Sequence, residues 1–210
     1  MHKNAFLIAA LMAALVLPAC MEQPAPAPAP APVSVRIRGT IDSLNGQTLA
    51  VKTRDGGKAT IALAPNYIVR TVVRRRLSDI KAGDFVASTS LRGKDGKLHA
   101  IEVHIFLPAQ RGVVPELQVP WDRGPDSVMT NAIVTGIAKA PSGRVLSLTY
   151  KGNPTEVIVG PNIPIVTYAP GNPGMLLPGK AVFVIALKKD DGSLSASQVT
   201  VESHGVKPPM

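Results

Sequence analysis

Few residues in this chain have the types and spacing to do chemistry, and they point to binding. His99, Glu102 and His104 sit on one run of alternating apolar and polar residues. In that run Leu98, Ala100, Val103 and Ile105 are apolar, and the step of three after Ala100 is the mark of a β-bulge. A bulge there turns His99, Glu102 and His104 outward on one face, the minimum geometry for a shared metal ion. A solvated strand face is the competing reading, because imidazole and carboxylate ligands normally need supporting hydrogen bonds around them. A second cluster, Arg70, Arg74, Arg75, Arg76 and Lys81, is predicted to crowd one loop and helix start. Guanidinium forks match phosphate oxygens, so this cluster is a candidate docking patch for an anionic surface. The alternative is a solvated loop whose charges block edge pairing. There is no nucleophile elbow, no Cys-x-x-Cys pair and no set that could be placed as acid and base. A non-enzymatic protein without a cofactor is therefore expected.

Cys20 is the single cysteine, so it has no partner for an internal disulfide. It follows a short basic start with Lys3, an apolar run from Ala5 to Leu17, and the closing Leu17-Pro18-Ala19. Residues 1–19 thus read as a signal peptide, and their apolar run falls short of the ~20 residues needed to span a bilayer. The ending resembles the lipobox of bacterial lipoproteins. That resemblance implies cleavage before Cys20, a diacylglyceryl thioether on its sulfur and attachment to a membrane; a plain secretory signal is the alternative. Met21 stands where enteric lipoproteins kept at the inner membrane carry an acidic residue, which implies the outer membrane, facing the periplasm. Pro and Ala alternate strictly from Pro24 to Pro32. Proline at every second position forbids helix and removes ladder donors, so residues 20–32 are expected to be an extended tether. At ~3.1 Å per residue such a tether would hold the rest about 30 Å from its anchor.

The formal charge is +9, and loss of Lys3 with the leader lowers it by one unit. A basic exported protein favours anionic partners in the envelope, while a solubilising excess of Lys and Arg is the plainer reading. Nucleic acid is excluded as an expected partner. The signal directs the chain out of the cytoplasm, and at 4% aromatic residues there are few stacking platforms for single strands.

Residues 34–106 align with residues 131–202 as an internal repeat. Gly39 falls on Gly136, Gly46 on Gly143, and Pro65-Asn66 on Pro161-Asn162; Asp95-Gly96 falls on Asp191-Gly192. Each half shows five short apolar-alternating runs separated by turn residues such as Asn45-Gly46 and Asp55-Gly56-Gly57. In the first half a short helix over Leu77–Lys81, capped by Ser78 and ended by Gly83, falls between the third and fourth runs. Pro170, Pro173 and Pro178 replace it with an irregular loop in the second. This order predicts an all-β chain of two small five-stranded OB-like barrels in tandem. The expected boundaries are a first barrel at 33–107, a Pro-rich connector at 108–129, a second barrel at 130–203 and a tail at 204–210. Most of the positive charge falls on the first half, with 13 Lys and Arg against 6 acids in 33–107, compared with 6 against 4 in 130–203. Trp121, the only tryptophan, is expected to pack down from the connector as an anchor between the domains.

The motifs Gly83-Asp84-Phe85-Val86 and Asp95-Gly96-Lys97-Leu98-His99-Ala100 resemble a bacterial domain family of unknown function whose members look like exported OB-type barrels. Pro120-Trp121-Asp122 and the ending Lys207-Pro208-Pro209-Met210 are similar to exported alphaproteobacterial proteins often labelled permeases of metal ABC transporters. A permease needs several membrane spans, and this sequence has only its leader. The expected function is therefore a periplasm-facing lipoprotein acting as an interaction or envelope-structural module. Its partners would be the membrane, through the lipid, and an anionic envelope component or envelope protein. The alternative is a solute- or metal-binding accessory of an ABC transporter. Mass spectrometry of the mature N-terminus should find a lipidated peptide beginning at Cys20. An unmodified peptide beginning after Cys20 would refute the anchor.

Overall fold

The chain, seen here as a computed structural model, is described over residues 33–141 and 143–208. The signal peptide, Cys20 and the Pro-Ala run lie outside the described residues. Among the described residues no helix is long and apolar enough to cross a membrane.

The alternating runs become strands. β1 (Val33–Asn45) and β2 (Thr48–Thr53) form a hairpin whose two-residue loop begins with Gly46 at φ +58. That is the positive φ a tight hairpin loop demands, and glycine adopts it without strain. β3 (Lys58–Arg75) is 18 residues long. β4 (Phe85–Arg92) and β5 (Leu98–Ile105) form a second hairpin, followed by the short β6 (Leu117–Pro120). β7 (Ser127–Ala140), β8 (Gly143–Tyr150) and β9 (Asn153–Val159) form a meander, and β10 (Ile165–Pro170) comes next. β11 (Ala181–Lys188) and β12 (Leu194–Val201) close the chain as a third hairpin. The predicted bulge is present: Ile101 is the extra residue between the pairs Thr89↔Glu102 and Ser90↔Ala100. β12 also carries one extra residue against β11, between Leu187↔Ser195 and Phe183↔Thr200. Pro65 lies in a longer break on the β3 side of its ladder with β12, between Leu63↔Ala196 and Ile68↔Gln198, so its missing N–H costs no ladder bond.

Two five-stranded barrels close, and each is built from both halves of the sequence. In the first, β1 pairs β2, β2 pairs β3, β3 runs parallel to β12, β12 pairs β11 and β11 returns to β1. In the second, β7 pairs β8, β8 pairs β9, β9 runs parallel to β5, β5 pairs β4 and β4 returns to β7. The pairing order is the same in both. The expected units 33–107 and 130–203 are therefore corrected: each keeps its first three strands and gives its last hairpin to the other. The physical cause is the length of β3. Instead of turning back after Val69, the chain stays extended through Arg75 and pairs antiparallel with β10 over six residue pairs, from Arg70↔Pro170 to Arg75↔Ile165. That crossing carries each hairpin into the opposite barrel.

The plugs are exchanged with the hairpins. Leu77 and Ile80, which follow β3, pack into the second core with Val86, Leu98, Val134 and Leu146. Met175 and Leu176, which follow β10, pack into the first with Ile41, Leu49, Val184 and Val199. Full burial of such side chains is worth about 1.5–3 kcal/mol each. The expected helix at Leu77–Lys81 is a single 3-10 turn, Leu77–Asp79. Its start is held by the Asp79 carboxylate, which accepts the Arg76 N–H at 2.9 Å, and not by Ser78. The connector is also more structured than a linker: β6 pairs β7, and β7 begins at Ser127, inside the expected 108–129.

Because each half lacks two strands of its barrel, fragments 33–107 and 108–210 should each lack sheet structure by circular dichroism and recover it when combined. A folded 33–107 fragment alone would show that the first half closes on itself.

Candidate functional site

Strand alternation sends one set of side chains into each barrel and the other set outward, some of them toward the opposite barrel. On β1, Val35 and Ile37 face the first core, so Arg36 and Arg38 face outward. On β11, Val182, Val184 and Ala186 face the same core and leave Phe183, Ile185 and Leu187 outside it. On β4 and β7 the outward residues are Ala87 and Met129, which join Phe183 in a third apolar cluster between the barrels. Phe106, Leu117, Trp121 and Tyr168 pack against that cluster. Between these surfaces lies a cleft of about 860 Å³, within the range of small-molecule sites. Its aromatic wall is Phe106, Trp121, Tyr168 and Phe183, and its aliphatic side includes Ile185 and Leu187, which are 53% and 43% exposed.

The connector fixes one side of this cleft. Asp122 accepts two hydrogen bonds from the Arg38 guanidinium, at 2.7 and 3.0 Å, and the Arg36 guanidinium lies 3.8 Å from the centre of the Trp121 ring. The backbone of Trp121 donates to the Ser127 carbonyl at 2.8 Å, which ties the tip to the start of β7. Trp121 is thus held by β1 of the first barrel and β7 of the second, as the anchoring expectation required.

Deeper in the waist the ionisable groups are held neutral. Glu102 is 3% exposed, and burial pushes its carboxyl up to about 8, opposed by the charges of Arg123 and Arg38. His104 is fully buried, 3.8 Å ring to ring from Tyr168 and 5.5 Å from Phe106, and neither ring nitrogen has a hydrogen-bond partner. Burial, with the Arg70 charge adding to it, lowers its imidazole to about 3. The Tyr168 hydroxyl is raised, first by burial and then by Glu102.

The metal trio is not brought together. The bulge does turn His99, Glu102 and His104 onto one face, but that face is buried at Glu102 and His104, where the Tyr168 ring of β10 lies over His104. His99 lies beyond the covered part, where its Nε2 is bonded to the Asp95 carboxylate at 3.0 and 3.1 Å. Among the described residues no three or more of His, Cys, Asp and Glu are placed to share an ion. The arginine cluster divides as well. Arg74 and Arg75 belong to β3 and not to a loop, and they are exposed with Arg76 and Lys81. Arg70 turns the other way, into the cleft, with its guanidinium 5.4 Å from the Tyr168 ring centre. The cleft residues Arg36, Tyr168, Phe183, Ile185 and Leu187 were missed from the sequence. One signal for them was available: residues 181–187 are apolar without alternation, the pattern of a strand covered on both faces.

The two buried titrating groups set opposite limits on stability. Folding favours the proton on Glu102, so its contribution is complete below about pH 4.5 and is lost as pH rises through about 8. Folding disfavours the proton on His104, so its contribution is complete above about pH 6.5 and is lost as pH falls toward about 3. Glu102→Gln should therefore gain on the parent above pH 6, by on the order of 1 kcal/mol per pH unit up to pH 8, and gain nothing at pH 4.5. Urea unfolding at a series of pH values measures this, and parallel curves for parent and variant would refute it.

No protein-family model, curated protein or solved structure matches the chain.

Proposed function

We propose that this protein is a non-enzymatic binding module of the cell envelope: exported, anchored through lipid on Cys20, and holding an apolar solute in the cleft between its barrels. The observation that carries this reading is the cleft, about 860 Å³ and lined by four aromatic rings and several aliphatic side chains. An apolar surface of this extent left open in a folded protein is normally a site of interaction. The cleft favours solute binding, the accessory role, over a purely structural one. Burial holds Glu102, His104 and Tyr168 uncharged beside it, a setting that suits an apolar guest better than proton transfer. The signal and the Pro-Ala tether support an address at the outer membrane, facing the periplasm. Arg74, Arg75 and Arg76, exposed at the barrel crossing, would meet an anionic envelope surface there.

The test uses the protein from Pro32 onward, which forms one compact unit, and an uncharged solvatochromic dye such as Nile red. The dye should bind saturably with a blue-shifted emission. Ile185→Glu, on an exposed side chain, should leave the fold intact by circular dichroism and reduce dye affinity by about tenfold or more, since it puts a charge into the apolar wall. Dye binding unchanged by Ile185→Glu would place the dye elsewhere and remove the support for the cleft.

A further inference from the structure

Among the residues that line the cleft, only two carry a formal charge, and both are arginines: Arg36 and Arg70. Neither forms an ion pair within 4.0 Å among the described residues. Each guanidinium instead lies by an aromatic ring, Arg36 at 3.8 Å from the Trp121 centre and Arg70 at 5.4 Å from that of Tyr168. The acids nearby do not bond to them, although Asp122 attracts Arg36 from a distance. Asp122 gives both oxygens to Arg38, and burial holds Glu102 in its uncharged form up to about pH 8. A guanidinium facing an apolar cavity gains something from a ring face. A bidentate carboxylate or phosphate in the same low-dielectric surroundings gives a stronger, directional contact. On the same sheet Ile185 is the ladder partner of Arg36, and with Phe183 and Leu187 it offers a continuous apolar wall along β11.

We infer that the ligand of this cleft is a single-chain anionic amphiphile, its chain lying against Phe183, Ile185 and Leu187 and its carboxylate or phosphate head paired with Arg36 and Arg70. This rests on the binding reading above and adds the chemical class. The apolar wall alone would accept any greasy molecule. The two arginines without acidic partners select one with a negative end.

Trp121 lines the cleft and is the only tryptophan, so its fluorescence reports occupancy without a label. The protein from Pro32 onward is titrated, below the aggregation concentration of each probe, with oleate, oleoyl lysophosphatidic acid, uncharged oleyl alcohol and acetate. Oleate or the lysophosphatidic acid should change Trp121 emission saturably at one per chain, and the tighter of the two names the head as carboxylate or phosphate. Oleyl alcohol should bind about tenfold or more weaker, and acetate should cause no change. The double variant Arg36→Gln, Arg70→Gln should lose about tenfold or more of the affinity for the anionic probe and bring it to within about threefold of that for oleyl alcohol. Two results would overturn the inference: oleyl alcohol binding within about threefold of the better anionic probe, or a double variant that binds that probe as the parent does. Nile red binding with neither anionic probe bound would also overturn it and leave the binding reading standing. Failure of Nile red and both anionic probes would sink the binding reading itself.

Discussion

Six residue pairs between the end of β3 and β10 hold the whole arrangement together. With that ladder formed, β3 cannot turn back over its own barrel, and the β4–β5 hairpin must close the sheet of β7, β8 and β9. The reciprocal exchange of β11–β12 follows from the same constraint. Exchange of this kind leaves the pairings inside each barrel intact, because either hairpin completes a three-stranded meander with one antiparallel and one parallel edge. What the crossing adds is the ladder itself and the third apolar cluster around Phe183, which two independent barrels would lack. Both contributions arise at the waist, and so does the cleft.

The waist also carries buried polar atoms without partners. His104 is fully buried with two nitrogens unpartnered, and the Nε of Arg38 and one Nη of Arg123 are buried without partners as well. Each such atom forfeits the hydrogen bonds it had in water, a cost of roughly 1–3 kcal/mol. Contact between His104 and the ring of Tyr168 offsets part of it, and the bidentate Arg38–Asp122 pair offsets another part. A fold assembled only for stability would place apolar residues at these points. Their concentration beside an open apolar cleft fits a surface kept for recognition, where buried polar groups fix orientation and the apolar wall supplies affinity.

Strands, bulges and turns were legible in the sequence because they are set by neighbouring residues. The three-residue step after Ala100 located the bulge of β5, and Asn45-Gly46 located a loop that needs positive φ. The exchange was not legible, because a hairpin's own pattern does not say which sheet it will complete. Residues 70–76 hold four arginines and no acid, so charge read them as a loop, while backbone pairing with β10 makes most of them strand. Residues 165–170 end in a proline and lie close to Pro161, Pro164 and Pro173, so composition read them as irregular; yet they form the partner strand. The outward face of His99, Glu102 and His104 was read correctly as a face. What covers it at His104 is 64 residues away in sequence, at Tyr168, and no local pattern carries that information.

Exchange also decides how the cleft can behave. Two barrels joined by a free connector would reorient, and a site between them would form only part of the time, lowering affinity by the fraction formed. Here each barrel contains strands from both halves of the sequence, β10 is bonded to β3 of one barrel and β5 of the other, and the Trp121–Asp122 tip is clasped by β1. Opening the cleft by moving the barrels apart would break ladder bonds and uncover the third core together. The walls are therefore held in place before any ligand arrives, so binding need not meet the cost of ordering them. The same rigidity fixes Arg36 and Arg70 relative to the apolar wall of β11, and would limit the shape of any molecule that entered.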